Sequence, residues 1–215
     1  DKVFSGPQPG EKLPALPLTG VYDDQAGKEF DPVADADGKP LLVVFVHKIT
    51  RPGLGMSRGL TAYVESLKDK DANAAIAWLA DDKGEAEQFL LRARKSLNVK
   101  VPIGISIDGG EGPGVYGLNR NVELTVLVAN KGKVVANFAL VQPSMSDGVK
   151  VAGEIAKAVG EEPPTMEQLQ EIAYPGMKAR MMQRQRQSRG DARPRGDSAP
   201  KRERVKKEGN QDGDE

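Results

Sequence analysis

Hydrophobic positions along the chain change period several times, and each change marks an element. Leu41 to Val46 (LLVVFV) is a continuous apolar run, the pattern of a central strand covered on both faces. From Gly55 to Lys70, Met56, Leu60, Tyr63, Val64 and Leu67 recur at helical spacing. Ala74 to Asp81 predicts a second buried strand. Glu85 to Leu97 predicts a second helix, with Phe89, Leu90, Ala93 and Leu97 on one side. Val101 to Asp108 predicts a third strand. Two further apolar stretches, ELTVLVAN and KVVANFALV, flank Lys131-Gly132, which reads as a tight hairpin. Asp147 to Val159 predicts a closing helix with Gly160 as its C-terminal stop.

The flanks are less periodic. Phe4 to Leu18 is proline-rich and extended, with Leu13, Leu16 and Leu18 placed to pin it to a core. Asp23 to Asp31 reads as a turn between short strands. The order β-α-β-α-β, hairpin, helix predicts an α/β three-layer sandwich with a mixed sheet over residues 1–160. Residues 161–176 read as a linker with a short helix, where Thr165 and Gln168 fit a capping box and Pro175-Gly176 a stop. From Ser188 onward almost nothing is apolar except Val205, and residues 177–215 are expected to be a basic, largely disordered tail.

Charge sharpens that division. Lysine plus arginine equals aspartate plus glutamate at 31 each, but residues 176–215 hold 12 basic and 7 acidic side chains, leaving 19 and 24 for the body. A mildly acidic body therefore precedes a basic tail, which suggests weak polyanion contact or simply solubilisation. No aromatic residue is present there to stack on bases. The tail contains Arg-Gly-Asp at 189–191 and 195–197, an adhesion motif or a product of its composition. No apolar stretch approaches the roughly 20 residues that span a bilayer.

Composition excludes much chemistry. Cysteine is absent, so thiol nucleophiles, thiolate metal sites, disulfides and thiol redox are impossible. One histidine, His47, excludes a multi-histidine metal site; no metal and no cofactor are expected. The stretch FVHKITRPGLGM (45–56) joins the first buried strand to the first helix, and Asp81 and Asp108 end neighbouring strands on the same edge. Ligands bind at that edge in open α/β sheets. His47, Lys48, Thr50, Arg51, Pro52, Asp81 and Asp108 are thus the candidate contact site for a protein or small anionic ligand. His47 reads first as a strand-end histidine hydrogen-bonded to backbone, with a general base as the alternative. Arg51 and Arg58 fit an anion at the helix start or a turn with solvated arginines. GGEGPG (109–114) lacks the lysine and spacing of a phosphate loop and reads as a flexible connection.

The order of elements, with GKPLLVVFVHKIT entering the first long helix, resembles the thioredoxin-like superfamily. Within it, PGEKLPALPLTGVYDDQAGKEFD followed by DGKPLLVVF resembles the peroxiredoxin and alkyl hydroperoxide reductase group, as does TVLVANKGKVVANF. The resemblance covers residues 7–160. It implies a reactive cysteine between His47 and the helix start, where this chain has Lys48 to Leu54. Thr50 and Arg51 echo the polar and arginine surroundings of such a site without its nucleophile. Ser57, close by, has no sulfenic-acid or disulfide chemistry. Thioredoxin-type members also carry a proline just before the strand near Thr125; Glu123 or Leu124 stands there instead. The implied protein is redox-inactive: a non-catalytic binding or scaffolding module. The alternatives are a thiol-independent enzyme using the edge near His47, or a polyanion binder acting through the tail. The resemblance and the non-methionine start imply an exported or periplasmic protein, the alternative being cytoplasmic.

Overall fold

In a computed structural model, residues 3–176 and Met182 are described. The expected basic tail, 177–215, lies outside them apart from Met182. Seven strands form one mixed sheet: β1 (Leu18–Gly20), β2 (Glu29–Phe30), β3 (Leu41–Val46), β4 (Asn73–Trp78), β5 (Ile103–Ser106), β6 (Leu124–Asn130) and β7 (Lys133–Leu140). Their order across the sheet is β2-β1-β5-β4-β3-β6-β7. β3 is central and buried along its whole length. It runs parallel to β4, with Val46 beside Trp78, and antiparallel to β6, with Val46 beside Leu124 and Phe45 beside Thr125. β5 is parallel to β4, and β1 closes that side antiparallel to β5.

The helices are α1 (Pro32–Ala36), α2 (Arg51–Ser66), α3 (Lys83–Leu97), α4 (Met145–Ala158) and α5 (Met166–Ala173). The two parallel crossovers place α2 and α3 on one face, joined there by α4 and by α5's Leu169. The opposite face is covered by α1, by the N-terminal arm and by Tyr116 and Leu118 of the connection after β5. Leu13, Leu16 and Leu18 are buried there as expected. Each such leucine contributes roughly 1.5–3 kcal/mol by burial. The sheet is thus the middle of three layers.

Several boundaries move, each for a local reason. α2 begins at Arg51, four residues before the expected Gly55. Thr50 is its N-cap, accepting from the Gly53 N–H, and Pro52 suits the first turn, where an amide proton has no intrahelical acceptor. The two glycines that read as a loop serve close packing instead. A Cβ at Gly53 would lie 2.9 Å from Thr50 Oγ1, and one at Gly55 3.2 Å from the Tyr174 hydroxyl. α2 ends at Ser66, before a 3-10 turn over Lys68–Lys70. α3 starts two residues early because Asp82 caps it through the Glu85 N–H. β4 and β5 are shorter than expected. The hairpin stands: Lys131 and Gly132 both have positive φ, which matches the right-handed twist of β6 and β7.

The short helix expected in 161–176 is α5, and its capping box between Thr165 and Gln168 is formed. Leu169 and Ala173 are buried, with the Ala173 methyl 3.5 Å from where a Cβ on Gly59 would stand. The segment 161–176 is therefore docked on α2 rather than strung beyond the core.

Candidate functional site

The carboxyl ends of β3 and β4 meet the starts of α2 and α3 at one edge of the sheet. His47 follows β3. Its backbone N–H donates to the Glu123 carbonyl at 3.0 Å, which continues the β3–β6 ladder by one residue. Its ring Nε2 lies 2.9 Å from Thr125 Oγ1, and Thr125 Oγ1 lies 2.5 Å from Ser5 Oγ. Ser5 also accepts from the Asn119 N–H at 2.9 Å. Thr125 and Ser5 are buried, so their hydroxyl protons need acceptors inside the chain. The ordering that satisfies both runs from Ser5 to Thr125 and from Thr125 to Nε2. The ring proton then sits on Nδ1. Nδ1 is buried and has no hydrogen-bond partner among the described residues.

This arrangement decides His47's chemistry. Burial, reinforced by the neighbouring Lys48 ammonium, pushes its pKa down to about 4, so the ring is neutral near pH 7. Its basic nitrogen is already occupied by Thr125, whose hydroxyl has no solvent access. The hydroxyl that meets His47 is that of Thr125, from the antiparallel neighbour β6, and not that of Thr50, three residues along the chain. A signal for it exists in the sequence. Thr125 is a polar residue within the apolar stretch LTVLVAN, and such a residue calls for a buried partner.

Thr50 is engaged elsewhere. Its hydroxyl donates to Glu123 Oε2 at 2.6 Å while accepting from the Gly53 N–H at 3.1 Å. Glu123 precedes β6, so this pair ties the start of α2 to the start of β6, the two places where the resemblance implies a thiol and a proline. The anion reading of the start of α2, the alternative to a turn with solvated arginines, is thereby weakened. Pro52 has no N–H and the Gly53 N–H is taken. Arg51 is exposed, and Arg58 lies over the Tyr174 ring at 4.7 Å, where it holds α5 against α2.

The remaining candidates separate. Asp81 is exposed, accepts from the Gly110 N–H at 3.2 Å and pairs with Arg120 at 3.0 Å; Arg120 also pairs with Glu111 at 2.6 Å. GGEGPG is accordingly packed rather than loose: a Cβ at Gly110 would fall 2.4 Å from Asp81 Oδ1. Asp108 leads into the 3-10 turn Gly109–Glu111, with its N–H on Ser106 Oγ.

Between the ends of β3 and β4 and the first turns of α3 lies a cleft of about 700 Å³. His47 and Asp81 border it; Lys48, Thr50, Arg51, Pro52 and Asp108 do not. Its apolar lining comes from Ile49, Trp78, Leu79 and Phe89, and its charged rim from Asp81, Asp82, Glu85 and Arg92. Trp78, the chain's single tryptophan, stacks on Phe89 with ring centroids 5.6 Å apart. Among the described residues there is no cluster of three or more histidine, aspartate or glutamate side chains arranged to hold a metal. No helix among them is long and apolar enough to cross a membrane.

No protein-family model matches the chain, and no curated protein matches it. Solved structures do. A Chlorobium tepidum chain assigned as thiol:disulfide interchange protein DsbE aligns with a TM-score of 0.52 at 18% identity, covering 74% of this chain and 100% of that one. An uncharacterized conserved protein of Geobacillus kaustophilus aligns with a TM-score of 0.53 at 14% identity, covering 74% and 85%. A hypothetical protein of Sinorhizobium meliloti aligns with a TM-score of 0.50 at 14% identity, covering 77% and 90%. With its central parallel strands, antiparallel hairpin and closing helix, the chain has a thioredoxin-like fold that contains no cysteine.

Proposed function

We propose that this chain is a peroxiredoxin-like member of the thioredoxin-like superfamily that acts as a non-catalytic binding or scaffolding module. The observation that carries the proposal is the fate of the junction after β3. Where the resemblance implies a reactive thiol, Thr50 is locked between Glu123 and the Gly53 N–H. The one histidine is neutral, with its basic nitrogen held by a buried hydroxyl. Apart from the His47 Nδ1, these polar groups are paired within the chain, which suits a fixed surface and not a turnover cycle. The peroxiredoxin-like part of the reading rests on the Pro-Gly arm, the GKP entry to β3 and the hairpin. Work outside the cytoplasm belongs to the same proposal and is tested by fractionating cells that express the whole gene product.

Insulin reduction and hydroperoxide consumption, measured with dithiothreitol as electron donor, are expected to run at the rate of buffer alone. Hydrolysis of a panel of activated esters is expected to be equally blank, and unchanged by His47→Gln. Turnover that scales with protein and is lost in His47→Gln would establish the thiol-independent enzyme instead.

A further inference from the structure

The cleft beside α3 is not accounted for by the hydrogen bonds that close the start of α2. Its lining is apolar and partly open: Ile49 is 54% exposed, and Phe89 is half-buried over Trp78. Its rim is acidic. On the rim Asp81, Asp82 and Glu85 outnumber Arg92, and among the described residues Asp81 is the one of the three that forms an ion pair, with Arg120. Acidic groups at a helix start are favoured by the helix dipole, and Asp82 also serves as the cap of α3. Those roles explain the carboxylates but not the apolar floor beneath them. A floor that takes an aliphatic or aromatic side chain, edged by two carboxylates with no cation of their own among the described residues, is complementary to one kind of surface.

We propose that this cleft docks a segment of a partner protein that carries lysine or arginine on either side of an apolar side chain. The proposal rests on the non-catalytic binding reading and deepens it by naming the partner's chemistry. The apolar anchor fills the space over Trp78 and Phe89, while the flanking cations meet Asp82 and Glu85. A small anion, the other ligand class considered for the junction after β3, is repelled by this rim.

Trp78 borders the cleft and is the chain's single tryptophan, so tryptophan emission of the full chain is the readout. The probe is a capped hexapeptide of two leucines flanked by lysine pairs, with the glutamate-flanked counterpart as control, titrated at low and at raised salt. The expected result is a saturable change in emission with the lysine peptide, weakened by salt and absent with the glutamate peptide. The double variant Asp82→Asn, Glu85→Gln keeps the cap of α3 and is expected to lose affinity by roughly three- to tenfold, the worth of two exposed charge pairs. Leu91→Gln, on α3 but outside the cleft, is expected to bind as the unmodified chain does. No saturable change with either peptide, or binding indifferent to the double variant, overturns the proposal. Preference for the glutamate peptide also overturns it, while leaving the binding reading in place. A salt-dependent emission change without peptide assigns the cleft elsewhere and overturns it too: to a second copy if it follows protein concentration, to the chain's own basic residues if it does not. The binding reading itself falls only to turnover in the assays above, so the two failures are distinguishable.

Discussion

α2 and α3 begin in equivalent places, each at the carboxyl end of a parallel strand and each capped by a side chain, Thr50 or Asp82. Around Thr50 the polar groups face one another: hydroxyl to carboxylate, amide to hydroxyl, histidine to threonine. Around Asp82 the cap carboxylate stands at the lip of an apolar cleft, with Glu85 one turn on. The difference shows that a helix start at a sheet's carboxyl edge is a position and not a function. Whether it remains available depends on what the neighbouring segments bring. β6 brings Glu123 and Thr125 to the start of α2 and closes it. At the start of α3 the connection 79–82 meets Gly110 and Arg120 only through Asp81, and the space stays open.

The sharpest way to break this comparison is to remove the group that closes one side. Thr125→Val keeps the shape but strips the acceptor from Ser5 and the donor from His47. Leaving these buried groups unsatisfied is expected to cost about 2–3 kcal/mol, read as a lowered urea midpoint with unchanged slope. An unaltered midpoint would show that the chain Ser5–Thr125–His47 is not what secures this side.

Acid probes the same side without mutation. His47's folded pKa, about 4, lies below its ordinary value of 6.5, so the unfolded chain binds the extra proton first. Its contribution is therefore complete above about pH 6.5 and is lost as pH falls toward 4. Allowing for the ring's partial solvent contact, the loss is expected to be about 1–2 kcal/mol. His47→Gln is expected to flatten that segment of the stability–pH curve, and parallel curves for the two proteins would count against the buried neutral ring.

Smaller effects separate the two caps. Thr50→Ala removes the cap and leaves Glu123 without its donor, at an expected cost of about 1–2 kcal/mol. Asp82→Asn keeps an acceptor for the Glu85 N–H and is expected to change stability by less than about 0.5 kcal/mol. Thermal or urea melts of the two variants side by side provide the check. A cost at Asp82 equal to that at Thr50 would mean that both helix starts are structural and that the cleft is not spare surface.

Local pattern was enough for much of the fold. The apolar run 41–46, the helical spacing of Met56, Leu60 and Val64, the turn at Lys131-Gly132 and the box at Thr165 each depend on residues a few positions apart. Periodicity and φ preference act over that range. The candidate site was less legible. His47 and Asp81 do border one cleft, but Lys48, Thr50, Arg51, Pro52 and Asp108 are not part of its lining. α2 starts four residues before Gly55 because Gly53 and Gly55, loop residues by type, make room for Thr50 and Tyr174 inside the helix.

By itself, then, the sequence determined that no thiol chemistry is available, that a buried strand leads into a helix at His47, and that parallel crossovers precede a hairpin. Only the tertiary structure decided that His47 belongs to Thr125, 78 residues away, that Thr50 belongs to Glu123, and that Ile49, Trp78 and Phe89 line one space beneath two carboxylates. The physical reason is range. Hydrogen bonds and packing between distant residues follow from strand order and side-chain direction across the assembled sheet, and neither is encoded in the spacing of neighbours along the chain.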